Sequence, residues 1–135
     1  MTTIESIREK LGITEPWVES GGVRWLATSA LNVRQLAAVM NEAQARFVTI
    51  TAIELPGVHL YRLEYLWDLD GQLLGFPFVL SGNSIESIHD LCEAVDWIER
   101  EVHEGFAVDF PGRDYEPLLL RAGDKLGVNL HQELL

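Results

Sequence analysis

Residues 86–104 concentrate the groups able to do chemistry: the carboxylates Glu86, Asp90, Glu93, Asp96, Glu99, Glu101 and Glu104, the histidines His89 and His103, the thiol Cys92, and one guanidinium, Arg100. Acid–base catalysis needs two carboxyl groups that face each other across a cleft. Glu99 and Glu101 flank Arg100, but helical residues two apart do not face each other, so they make a poor dyad. For metal ligation, His89, Cys92 and Asp96 share a helical side at i, i+3 and i+7, and Glu99 and His103 stand at i, i+4. His103-Glu104 begins like a zinc-protease motif, yet Ala107 occupies the place of its second histidine. No set reaches the ligand count of a structural zinc site, so no metal is expected. No serine stands in Gly-x-Ser-x-Gly, and the carboxylates around Cys92 disfavour its thiolate. Gly21-Gly22 is followed by Val23-Arg24, without the Gly-rich fingerprint or Lys-Ser/Lys-Thr pair of a phosphate cradle. Catalytic, cofactor-binding and metal-binding residues are all expected to be absent.

A helix from about Ser84 to Glu104 would position this cluster. Ile88, Leu91, Val95, Ile98 and Val102 recur at i, i+3, i+7, i+10 and i+14, which describes one buried face. At about 100° per residue, Glu99 falls at the edge of that stripe and Trp97 roughly opposite. A buried carboxylate requires partners, and a large exposed aromatic invites a second surface. Charge-assisted hydrogen bonds from Glu99, Arg100 and Glu101 to backbone or to a partner are the economical expectation. The remaining acidic residues would form a solvated face or a face prepared for a basic partner. Gly105 reads as the helix stop, residues 106–110 as a further strand, and Pro111-Gly112 as a turn.

Upstream, Thr2-x-x-Glu5 reads as a capping box opening a short helix that ends by Gly12. Trp17 to Gly22 reads as a loop and Val23 to Thr28 as a short strand. Asn32 opens a second helix through about Ala45, with Leu36, Val39, Met40 and Ala43 on one face. Three strands follow. Phe47–Leu55 alternates Val48, Ile50 and Ala52 against threonines. His59–Asp68 places Tyr61, Leu63, Tyr65 and Trp67 on one face. Gln72–Leu80 aligns Leu74, Phe76, Phe78 and Leu80. Pro56-Gly57 and Asp70-Gly71 mark the turns. Pro77 places its strand at an edge or a bulge. The fold class expected is α+β: two layers, with a mainly antiparallel sheet containing a three-stranded meander packed against helices.

At 135 residues the chain has room for one core. A single domain over residues 1–120 with a C-terminal tail at 121–135 is expected. A net charge of −11 with only 10 Lys and Arg excludes a nucleic-acid binder and direct adhesion to anionic lipid. One cysteine excludes an internal disulfide and an iron–sulfur cluster held by this chain's own thiolates. The N-terminus shows no signal-peptide pattern, and the longest uncharged apolar run, Leu73 to Leu80, is far short of the ~20 residues of a spanning helix. Any membrane contact is therefore expected to go through a partner.

The run Ser87-Ile88-His89-Asp90-Leu91, then Trp97-Ile98-Glu99-Arg100-Glu101-Val102-His103-Glu104, then Phe106, Val108, Phe110 and Gly112, resembles the signature of the 30 kDa subunit family of respiratory-chain NADH dehydrogenase (complex I). That family includes the equivalent small subunit of energy-converting membrane-bound [NiFe] hydrogenases. The family pattern runs roughly Ala-x-Trp-x-Glu-Arg-Glu-x-x-Asp-x-Phe-Gly-Ile-x-Phe-x-Gly-His-Pro. Trp97, Glu99, Arg100, Glu101, Phe106 and Gly112 match it and would shape the fold and a partner interface. This chain departs from the pattern at Glu93 (in place of Pro), Gly105 (a large apolar residue), Ala107 (Gly) and Arg113-Asp114 (His-Pro).

The resemblance implies a non-catalytic scaffold in the peripheral arm of a membrane-associated electron-transfer complex. It implies packing on the large subunit of a hydrogenase or complex I-like oxidoreductase, beside iron–sulfur subunits. Clusters, flavin or a NiFe site would lie in those partners, with none bound by this chain. The location implied is cytoplasmic, at the inner face of the cell membrane. The short length, the His103-Glu104 pair and the ending Glu116-Pro117-Leu118-Leu119-Leu120 lean toward the hydrogenase branch. The alternative is a stand-alone divergent relative acting as a protein-binding or assembly factor.

Overall fold

The computed structural model describes residues 3–28, 31–55, 60–80, 82–111 and 113. In chain order the elements are α1 (Ile4–Leu11), β1 (Val18–Ser20), β2 (Val23–Trp25), α2 (Val33–Glu42), β3 (Arg46–Leu55), β4 (Leu60–Leu69), β5 (Gln72–Val79) and α3 (Val95–Phe106). The expected turn at Pro56-Gly57, Gly112, the boundary at 120 and the tail at 121–135 lie outside the described residues.

Both early helices are set by their caps. α1 uses Thr3 rather than Thr2: its hydroxyl accepts from the Ser6 amide, and the Ser6 hydroxyl closes the box onto Thr3. Gly12 ends the helix in the left-handed conformation at φ 70°. Asn32 caps α2, its side chain accepting from the amides of Arg34 and Gln35.

The β3-β4-β5 meander is antiparallel. Its second hairpin turns on Asp70-Gly71, both at positive φ (52° and 86°), as a two-residue turn matched to the strand twist requires. Two features go beyond the expected meander. Residues 18–20 form a strand, so the expected loop is half of a β1-β2 hairpin turning on Gly21-Gly22. Three-residue strands are too short to show alternation in sequence. β2 then pairs parallel to β5, giving a five-stranded mixed sheet in the order β1-β2-β5-β4-β3. Gly75 permits that docking: a Cβ there would come within 2.5 Å of the Trp25 ring.

Pro77 sits where its missing N–H costs nothing. The Leu80 amide donates to Tyr61 O on β4, so by the strand period of two the Pro77 nitrogen faces the β2 side. β2 ends opposite Gly75, two residues before Pro77.

One face of the sheet carries the core. Leu63, Tyr65 and Trp67 of β4 and Leu74 and Phe76 of β5 are buried with Ile7 of α1, Leu36 and Met40 of α2, and Val95 and Val102 of α3. The β3 pattern differs from simple alternation. A register shift between Phe47 and Thr49 brings Phe47 and Ile50 to the core and leaves Val48 half-buried.

Candidate functional site

The helix expected from Ser84 starts at Val95. Residues 84–94 are an irregular segment: residues 88–92 close a tight turn, with the Leu91 and Cys92 amides donating to Ile88 O, and other backbone groups find partners elsewhere in the chain. The Ile85 amide donates to Asp109 O, and the Ile88 amide donates to Glu99 Oε2 at 2.9 Å. Ser87 O accepts from Arg34 Nη1 at 2.7 Å, and Leu91 O accepts from the Asn41 side chain. α2 thus clasps the segment along its length, with Asn32 Nδ2 donating to Glu86 Oε1 at 2.7 Å and Arg34 forking onto both Asp90 oxygens at 2.8 Å. The arginine beside it holds the Asp90 carboxyl down at about 2.

Glu99 is the centre of the arrangement. It is 0% exposed. Oε1 accepts from the Ser87 hydroxyl at 2.6 Å and from Arg113 Nη1 at 2.7 Å. Arg113, whose side chain is only 3% exposed, also pairs with Asp96 through Nη2 and reaches Asp96 O at 3.3 Å. A buried carboxylate with two neutral donors and one guanidinium is fully satisfied, so this cluster holds structure together. Tyr65 lies within reach of its field: burial first, then the Glu99 charge, push the phenol pKa up.

The contact of Ser87 with His89 Nδ1, at 3.1 Å, and with Glu99 superficially suggests a nucleophile and its base. The proton bookkeeping goes the other way. The single hydroxyl proton is donated to Glu99, and the oxygen accepts from the His89 amide at 3.2 Å. A general base would have to take that proton, so Ser87 is a bridging residue.

The other signature residues divide by environment. Arg100 pairs with Asp96 at 3.4 Å, and its Nε is buried without a partner among the described residues. Phe106 stacks edge-on against Tyr61, with centroids 6.2 Å apart. Trp97 projects outward, 57% exposed. Glu101 lines a cleft of about 280 Å³ with Val102, Phe106 and residues 50–52 of β3. The acidic run is therefore mostly not a free solvated face. Glu86, Asp90, Asp96 and Glu99 are bonded within the chain, and Glu104 is buried.

Gly105 does not stop the helix. It is buried within α3, which ends at Ala107 with φ 57°. That left-handed backbone is one glycine adopts at least cost. Residues 106–110 form one isolated bridge, Ser84 to Asp109, instead of a strand, while Val108 and Phe110 are fully buried. The His89, Cys92 and Asp96 alignment dissolves with the helix. Among the described residues no three His, Cys, Asp or Glu side chains converge to hold a metal. The Cys92 thiol pKa is raised, chiefly by burial and only secondarily by Glu99. Sequence reasoning gave no role to Arg34, took Ser87 only as the first residue of the signature run and Arg113 only as a departure from the pattern, and foresaw none of their bonds.

Among the described residues no helix is long and apolar enough to cross a membrane. The pattern of the family described as "Respiratory-chain NADH dehydrogenase, 30 Kd subunit" matches residues 27–127. No match is found among the curated proteins. The chain is similar in fold to a chain of the membrane-bound sulfane sulfur reductase, an archaeal respiratory membrane complex. The TM-score is 0.73 at 20% identity, over 92% of this chain and 77% of that one. It is also similar to the trypsin-resistant fragment of Nqo5, with a TM-score of 0.62 at 19% identity, over 83% of this chain and 96% of that one.

Proposed function

This chain belongs to the respiratory-chain NADH dehydrogenase 30 kDa subunit family, and on that premise we propose that it is a non-catalytic scaffold subunit. Its place is the peripheral arm of a membrane-associated electron-transfer complex, either an energy-converting hydrogenase or an NADH-quinone oxidoreductase. There it packs on the large subunit that holds the NiFe or quinone site. Clusters and flavin belong to the partner subunits, and membrane attachment at the inner face runs through them.

The observation that carries this reading is the division of labour on α3. Glu99 is sealed in the chain's own ion cluster, while Trp97 of the same signature stands 57% exposed. A sealed carboxylate has no access to substrate, and an exposed Trp is the residue type that anchors interfaces.

The test is affinity purification of the tagged chain from its native cells. A large oxidoreductase subunit and cluster-bearing subunits are expected to come with it, and Trp97→Ala is expected to reduce their recovery while the chain stays folded. A chain that purifies alone, stable and cluster-free, would overturn the reading in favour of a stand-alone binding or assembly factor.

A further inference from the structure

β3 is the last strand of the sheet, so among the described residues no strand lies on its outer side. The direction of its backbone groups follows from the ladder. The Leu80 amide bonds Tyr61 O, so odd residues of β4 point their N–H and C=O toward β5 and even residues point toward β3. Arg62, Glu64 and Leu66 stand opposite Ile53, Thr51 and Thr49. Those three β3 residues therefore turn their backbone groups inward to β4. Ile50 and Ala52 turn theirs outward.

An edge that exposes backbone donors and acceptors is a template for another strand unless it is blunted. The β3 bulge lies at residues 47–49, before the outward pair, and Arg46 stands at the start of the strand. Residues 50–53, Ile-Thr-Ala-Ile, carry neither charge nor proline. Directly beside them runs the cleft whose other wall is α3, with apolar Val102 and Phe106 and the carboxylate of Glu101. Among the described residues no ion pair neutralises Glu101.

We propose that the outer edge of β3 takes an extended segment of a partner subunit as a sixth strand. The segment hydrogen-bonds Ile50 and Ala52, places an apolar side chain in the cleft, and sets a lysine or arginine against Glu101. Backbone pairing supplies affinity, and the alternate side chains supply selectivity. A basic segment complements both Glu101 and a chain of net charge −11. This inference rests on the scaffold reading and names the chemistry of its partner.

Hydrogen exchange, read residue by residue on the isolated chain and on the complex purified from native cells, tests it. In the isolated chain the Ile50 and Ala52 amides exchange fast, and those of Thr51 and Ile53 exchange slowly. In the complex, Ile50 and Ala52 slow by about a hundredfold while Thr51 and Ile53 change little. Glu101→Lys and Ala52→Pro should each lower partner recovery about tenfold. In Ala52→Pro the lost N–H is outside the β4 ladder, and Thr51 exchange reports whether either variant remains folded.

Unchanged exchange at Ile50 and Ala52 in an intact complex overturns strand addition and leaves the scaffold reading standing. Full partner recovery by both folded variants does the same. A chain that never co-purifies with subunits overturns both. Protection that grows with the concentration of the isolated chain identifies a second copy as the occupant and overturns the partner assignment.

Discussion

Two arginines hold residues 87–99 in place, Arg34 from α2 and Arg113 from beyond α3, and they do so in opposite surroundings. Arg34 forks onto Asp90 with both side chains substantially in water. Arg113 grips Glu99 and Asp96 with its side chain almost wholly enclosed. Each arginine pairs with a carboxylate, yet the consequences differ. An exposed pair competes with solvent and salt and contributes little. A buried pair gains little on formation, because both ions must be stripped of water, but removing one partner strands the other. The first therefore steers the segment onto α2, and the second fixes the junction of that segment, α3 and residue 113.

The largest expected effect breaks the enclosed site. Glu99→Ala leaves Arg113, the Ser87 hydroxyl and the Ile88 amide short of an acceptor, and should cost roughly 3–5 kcal/mol. Urea unfolding followed by circular dichroism reads this directly, and a midpoint indistinguishable from the parent would sink the comparison. Arg113→Met should cost about 3 kcal/mol, since Glu99 keeps its two neutral donors. The double variant Glu99→Leu with Arg113→Met sharpens the point. Its loss should fall short of the sum of the Glu99→Leu and Arg113→Met single losses by about 1–3 kcal/mol, because the stranded charge is gone.

A control touches neither arginine. Ala107→Gly relieves a left-handed residue at the end of α3 and should gain about 0.5 kcal/mol after the entropy of glycine is offset. A loss would mean that the Ala107 methyl packs usefully.

Asp90→Asn comes last in size: a small fall in Tm that high salt abolishes. Its pH signature has a definite sign. The folded carboxyl lies at about 2, below the unfolded value of about 3.9. Its contribution is thus complete above that unfolded value and fades as pH falls through about 2. Parent and variant should therefore converge across that window. A gap that persisted below it would assign the stabilisation to something other than the charge on Asp90.

How far each region could be read in advance follows the range of the interactions involved. Asn32 as a cap, the Asp70-Gly71 turn and the inward faces of β4 and β5 depend on neighbours within a few residues, and they were legible. The β1-β2 hairpin escaped because three residues cannot establish a period. The bulge at Val48 escaped because it interrupts the alternation that would reveal it. The long acidic helix misled for a physical reason. Ile88, Leu91, Val95 and Val102 do keep helical spacing, but Asn32 at the cap of α2, Arg34 and Asn41 within it, and the side chain of Glu99 bond residues 86–91 from outside, contacts no periodicity reveals.

Local chemistry along the chain was enough to set the α+β class and the meander. The signature residues were enough to name the family. What sequence could not decide was which acidic residues would be sealed and which left open. Glu99 and Glu101 are two positions apart and chemically identical, yet one is enclosed and the other lines a cleft. That outcome depends on Ser87 and Arg113 arriving from 12 and 14 residues away. Contacts of this range exist only once the sheet has closed against the helices, since burial turns a carboxylate that solvent would satisfy into one that must be met by specific donors.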